Sequence, residues 1–123
     1  MGARGVTNTA RPGKENAGKF RKTEVECRRL SRFIRGNVDF VKMDIEGAEV
    51  DVVKELVSSG KLQHLKRMVI EYHHHNHTGE AFLGKFLSLL ENAGFDYRIS
   101  ARIFPQMGGE YAQAVMIYAN RRN

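Results

Sequence analysis

The spacing of apolar positions predicts a chain that switches repeatedly between strand and helix. Residues 38–44 place Val38, Phe40, Val41 and Met43 in a short apolar run that reads as a strand ended at Gly47. Residues 48–59 put Ala48, Val50, Val52, Val53, Leu56 and Val57 on one broad face of a helix closed by Gly60. A second strand is predicted over Arg67–His73. A second helix is predicted over residues 80–93, with Phe82, Leu83, Phe86, Leu87, Leu89, Leu90 and Ala93 on its apolar face and Gly94 as a left-handed cap. Residues 95–103 and 112–119 alternate as two further strands, joined by a loop with Pro105, Gly108 and Gly109. Upstream, Val25 and Cys27 alternate with polar residues over 23–28, which predicts a half-exposed strand. Leu30, Phe33 and Ile34 predict a short helix stopping at Gly36-Asn37.

A strand–helix–strand–helix–strand series implies an α/β fold with a mostly parallel sheet, and the short last connection implies an antiparallel C-terminal hairpin. Residues 1–22 hold glycines, one proline and few apolar residues, and read as a flexible basic leader to a domain over 23–123. The 123 residues suffice for one domain, and 41% hydrophobic with 28% charged residues is globular rather than disordered composition. A lone cysteine, Cys27, excludes an internal disulfide framework. No apolar run approaches a membrane span and no secretory signal is present, so the expected address is cytoplasmic, with no membrane partner.

The net charge of +6 changes this picture little, because it is concentrated at one end. Residues 1–35 hold ten Lys/Arg against three Glu, whereas residues 36–123 hold ten against eleven acids. A basic arm suits phosphate backbones, but no aromatic residue interleaves the charges before Phe20. A solvated tail is the preferred reading and a nucleic-acid-binding module the lesser alternative.

Sites in parallel sheets lie beyond the carboxyl ends of the strands. Two predicted strands end in polar clusters: Lys42, Asp44 and Glu46 on the first, then Glu71, His73 and His75 on the second. Charges at buried strand ends must be paired, so a site or a structural Lys42–Glu71 ion pair would each account for them. Glu49 falls between Val53 and Leu56 on the helical wheel, so its carboxylate is expected to face the sheet, and first-turn capping is compatible with that.

The run Val38-Asp39-Phe40-Val41-Lys42-Met43-Asp44-Ile45-Glu46-Gly47-Ala48-Glu49 resembles the V-D-x-x-K-x-D-x-E-G-x-E signature of the FkbM family of S-adenosylmethionine-dependent methyltransferases. Residues 69–75 and 89–97 resemble the same family in order and spacing, so that the likeness runs from about Thr23 to Arg121. The resemblance implies a partial Rossmann-like methyltransferase sheet, with residues 38–44 as its fourth strand and Arg67–His73 as its fifth. It implies that Asp44 and Glu46 line the reaction centre and that Gly47 lets the backbone turn beside the cofactor, S-adenosylmethionine. Asp44 or a histidine of the 73–75 cluster would accept the acceptor's proton, with Lys42, Glu49, Glu71 and His75 around them.

In that family a glycine-rich acidic loop and a ribose-binding acid precede these motifs, and residues 1–22 contain neither. The expectation is therefore a C-terminal half whose first strands and cofactor-binding half are missing. Such a half would be inactive alone and prone to self-association through an exposed sheet edge. The acceptor would be a small molecule, glycan or lipid bearing a hydroxyl. The alternative from the residues themselves is a metal-binding, hydrolase-like site made by Asp44, Glu46 and the His73–His75 cluster with His77.

Overall fold

The computed structural model describes residues 23–73, 82–105 and 111–123. Six regular elements follow one another: β1 (Val41–Met43), α1 (Glu49–Ser58), β2 (Arg67–His73), α2 (Leu83–Asn92), β3 (Phe95–Pro105) and β4 (Tyr111–Arg121). They form a four-stranded sheet in the order β1-β2-β4-β3. β1 and β2 are parallel, with Val41 opposite Met68 and Met43 opposite Ile70. β4 runs antiparallel to both β2 and β3, so the terminal hairpin folds its last strand into the sheet between β2 and β3. The α/β class and the hairpin are as expected, while parallel pairing is confined to β1 and β2.

Period-two alternation decides which face of the sheet is buried. Met68, Ile70 and Tyr72 of β2, with Val115, Ile117 and Ala119 of β4, are buried on one face. Val53 and Leu56 of α1 and Phe86 and Leu90 of α2 join them in one cluster. The rings of Tyr72 and Phe86 lie 5.2 Å apart, within the range of a favourable aromatic contact. Lys42, Arg98 and Tyr118 on the opposite face are exposed.

Several sequence expectations are corrected. Residues 23–29 form no strand, and Val25 is 69% exposed, because this segment joins no ladder among the described residues. Residues 30–33 form a single 3₁₀ turn, Leu30–Phe33, whose Ser31 Oγ donates to Glu55 Oε1 of α1 at 2.5 Å. The first sheet strand is shorter than the predicted 38–44. Val38 forms an isolated parallel bridge with Leu65, while Asp39 and Phe40 bulge outward before β1 begins. Val57 is exposed, because α1 is covered on one side only. Gly60 and Gly94 end α1 and α2 with φ of 67° and 85°, as their positions predict. Lys42 turns to Asp44 rather than to Glu71. The leader, residues 1–22, and His74, His75 and His77 lie outside the described residues.

The end of the sheet away from the strand tips is tied by Arg121. Its guanidinium donates to the carbonyls of Leu65 at 3.0 Å, Leu62 at 2.5 Å and Ala93 at 3.4 Å. It also lies 4.5 Å from the centroid of the Phe95 ring. These carbonyls belong to the 3₁₀ turn Leu62–His64 and its C-cap and to the end of α2; Leu62 O also accepts from Leu65 N–H at 3.1 Å, so the guanidinium is its second donor. Burial lowers the Arg121 pKa, the direction expected for a cation taken out of water. Arg121→Met should cost about 2 kcal/mol, because hydrogen bonds to a charged donor contribute ~1.5–3 kcal/mol each. Thermal unfolding should show a fall of ~10 °C, against less than ~5 °C for Arg122→Met, whose contacts are exposed.

Candidate active site

Because β1 and β2 are parallel, their carboxyl ends lie at the same end of the sheet. The chain leaves β1 through Asp44 and Ile45 and reverses into α1 through a turn at Glu46 and Gly47. Both turn residues are left-handed, with φ of 54° at Glu46 and 104° at Gly47. Glycine takes this conformation freely, whereas Glu46 holds it at a cost of about 1–2 kcal/mol. The turn therefore needs support from its surroundings.

Glu49 supplies that support. It is the first residue of α1 and is only 1% exposed. Its Oε1 accepts hydrogen bonds from the backbone N–H of Ile45 at 3.2 Å and of Gly47 at 3.0 Å. The same oxygen lies 2.9 Å from Nδ1 of His73, the last residue of β2. The helical wheel placed Glu49 inward, as observed; its carboxylate holds N–H groups of the turn before α1 rather than capping the first N–H groups of the helix itself. Ala48, at the cap position of α1, offers no side-chain hydrogen bond, so this carboxylate serves the turn instead.

On its other side the His73 ring faces the turn, with Nε2 3.5 Å from Glu46 Oε2. Asp44 completes the group. Single ligand atoms of Asp44, Glu46 and His73 lie within 4.8 Å of one another, and Lys42 Nζ is 3.0 Å from Asp44 Oδ2. The structure thus brings together Asp44, Glu46, Gly47, Glu49 and His73. Glu71 is half-buried on β2 opposite Met116 and makes no ion pair with this group among the described residues. Chemically, the cluster combines carboxylates that favour a nearby cation with an imidazole able to exchange a proton.

Tyr72 was not singled out from the sequence, where alternation marks it only as a core residue. Its pKa is raised, chiefly by burial and secondarily by the negative charge of Glu49. An open groove of about 660 Å³ occurs elsewhere, at the opposite end of the strands, lined by Asp39, His64, Lys66 and Asn120 among others. Two of its charges are paired within the fold: Lys66 Nζ lies 2.6 Å from Asp39, and this contact holds the Asp39 carboxyl below its usual pKa. The groove is well away from the cluster at the strand tips.

Comparison with known proteins follows the same lines. The family profile described as the methyltransferase FkbM domain matches residues 2–97, starting within the leader and ending at Tyr97. The chain belongs to the FkbM methyltransferase family. The profile reaches further towards the N-terminus than the motifs alone suggested and stops before β4. Among solved structures, Streptococcus pneumoniae Sp1610, described as a candidate tRNA (m1A22) methyltransferase, aligns with a TM-score of 0.40 at 16% identity. The alignment covers 71% of this chain and 35% of that one, so the FkbM chain spans about a third of that protein's length. No curated protein matches the chain. Among the described residues no helix is long and apolar enough to cross a membrane.

Two predictions follow from the cluster's geometry. Glu49→Leu leaves two backbone N–H groups without an acceptor and the His73 ring nitrogen without its partner, and should cost about 3 kcal/mol. Asp51→Leu, on the exposed side of the same turn, should stay within ~0.5 kcal/mol. Equal melting temperatures would show that the Glu49 carboxylate does not hold the turn. The second concerns alkaline pH. The raised Tyr72 pKa means that the unfolded chain releases this proton first, near the ordinary tyrosine value of 10.0. The stability tied to the neutral phenol is intact below that pH and is lost as pH rises through the folded value. Tyr72→Phe should flatten the fall in denaturation midpoint above pH 10.

Proposed function

We propose that this domain carries the reaction-centre end of an S-adenosylmethionine-dependent methyltransferase acting on a hydroxyl group. The observation that carries this reading is the assembly of Asp44, Glu46 and His73 at the tips of two parallel strands, seated by the buried Glu49. Family membership supports methyl transfer as the chemistry. When bound, S-adenosylmethionine supplies an electrophilic methyl group on a sulfonium. Asp44 and Glu46 present negative charge that suits a cationic donor, and the backbone at Gly47 turns closely enough to border it. The protein's task in such an in-line displacement is to orient the acceptor hydroxyl and to take up its proton. Asp44 and His73 are the groups placed to do so, and Lys42 steadies Asp44.

Hydroxyl-bearing small molecules, glycans and lipids all fit this chemistry. On this reading the acceptor is not a nucleic acid. β1 lies at one edge of the sheet, with Phe40 beside it 54% exposed. On this reading the edge is a place for further strand pairing or for self-association. A second reading, a divalent cation held by Asp44, Glu46 and His73, is favoured by the short spacing of their ligand atoms.

Tight cofactor binding further needs a glycine-rich turn for the amino-acid portion and an acid for the ribose, and residues 1–22 contain no acidic glycine-rich loop. The 123-residue chain is therefore expected to bind S-adenosylhomocysteine weakly, with a dissociation constant of about 1 mM or above, equivalent to roughly −4 kcal/mol. Amide shifts during a titration of ¹⁵N-labelled protein should concentrate at residues 44–47 and His73. Shifts confined to the groove at Asp39 and Lys66 would remove the strand-tip site from consideration. A micromolar constant would overturn the claim of weak binding.

A further inference from the structure

We infer that Glu49 is the positioning residue that makes Nε2 of His73 the proton acceptor of the site. The inference rests on the reading above for its role in methyl transfer, and on hydrogen-bond chemistry for its geometry. Three nitrogen atoms converge on Glu49 Oε1: the amides of Ile45 and Gly47 and the ring Nδ1 of His73. Backbone amides only donate, so this oxygen is an acceptor, and the ring nitrogen facing it must bring its own hydrogen. A neutral His73 ring is thereby held with hydrogen on Nδ1 and its lone pair on Nε2.

That lone pair points at the cluster, not into the core. Nε2 lies 3.5 Å from Glu46 Oε2, and the His73 side chain retains 17% exposure, enough to meet a bound acceptor. Asp44, the other group able to take a proton, has Oδ2 already engaged by Lys42. The charged and titratable groups around the ring among the described residues are Glu49 on α1, Glu46 and Asp44 at the turn, Lys42 behind Asp44, and the neighbouring Tyr72. When the acceptor oxygen attacks the methyl carbon, its proton passes to Nε2, a new oxygen–carbon bond forms, and the carbon–sulfur pair leaves with sulfur. The imidazolium then lies between Glu49 on one side and Glu46 on the other, and no group has to reorient to meet its charge.

Ring ¹⁵N spectra of the histidine-labelled 123-residue chain test this without cofactor or acceptor, with the His73 signals assigned through His73→Asn. The neutral His73 ring should appear as the Nδ1–H tautomer, with its Nδ1 resonance in the range of a protonated ring nitrogen and its Nε2 resonance in the range of an unprotonated one. Glu49→Gln keeps an acceptor oxygen and should preserve this pattern. Glu49→Met should lose it, giving mixed tautomers in a chain that retains its dispersed amide spectrum. If Glu49→Met does not fold, the wild-type and Glu49→Gln spectra still decide the matter. An Nε2–H tautomer would overturn the assignment, as would an unchanged pattern in folded Glu49→Met. The S-adenosylhomocysteine titration reports separately on the cofactor reading, so either can fail without the other.

Discussion

A carboxylate removed from water has to recover in hydrogen bonds what it loses in solvation, and Glu49 does so by drawing two backbone N–H groups and a histidine ring nitrogen onto one oxygen. Those groups come from the turn after β1 and from the end of β2, while the carboxylate itself belongs to α1. One buried group thus sets the distance between two strand tips and the start of a helix. The left-handed backbone at Glu46 is tolerable because the amides on either side of it, at Ile45 and Gly47, are held by the same oxygen. With the turn held, Asp44 and Glu46 face His73, and the site exists as a consequence.

The opposite end of the sheet is organised by the inverse arrangement. There a partly buried cation, Arg121, collects carbonyl oxygens from the 3₁₀ turn before β2 and from the end of α2. A short connection into a strand leaves acceptors over, just as the approach to a helix leaves donors over, and each end is closed by an ion of the matching sign. Between them the core is ordinary close packing of Val53, Leu56, Phe86, Leu90 and the inward residues of β2 and β4. This division of labour lets the strand tips carry polar chemistry while the packed middle and the Arg121 end supply stability.

In this FkbM-family chain the motif residues and the cluster at the strand tips coincide. The signature residues Asp44, Glu46, Gly47 and Glu49 occupy one turn, but they differ in kind. Asp44 and Glu46 are exposed, while Glu49 is hidden and meets backbone amides and an imidazole. A pattern that treats all of these acids alike conceals this difference, and it is the difference that gives each a separate role.

Local pattern determined the order and type of the main elements: β2 has the bounds predicted for it, and both helices and the terminal hairpin lie where their spacing placed them. It also determined that Glu49 faces inward, because a helical wheel needs only a period and a neighbouring apolar face. Tertiary structure alone decided the rest. Residues 23–28 alternate like a strand but join no ladder among the described residues, and a strand without a partner has no reason to stay extended. Nothing in sequence spacing pairs His73 with Glu49, 24 positions away, or brings Arg121 to Leu62 and Leu65. Those contacts depend on parallel pairing of β1 with β2 and on the insertion of β4 beside β2. Strand neighbours are chosen by the packing of the whole sheet, which no local window contains.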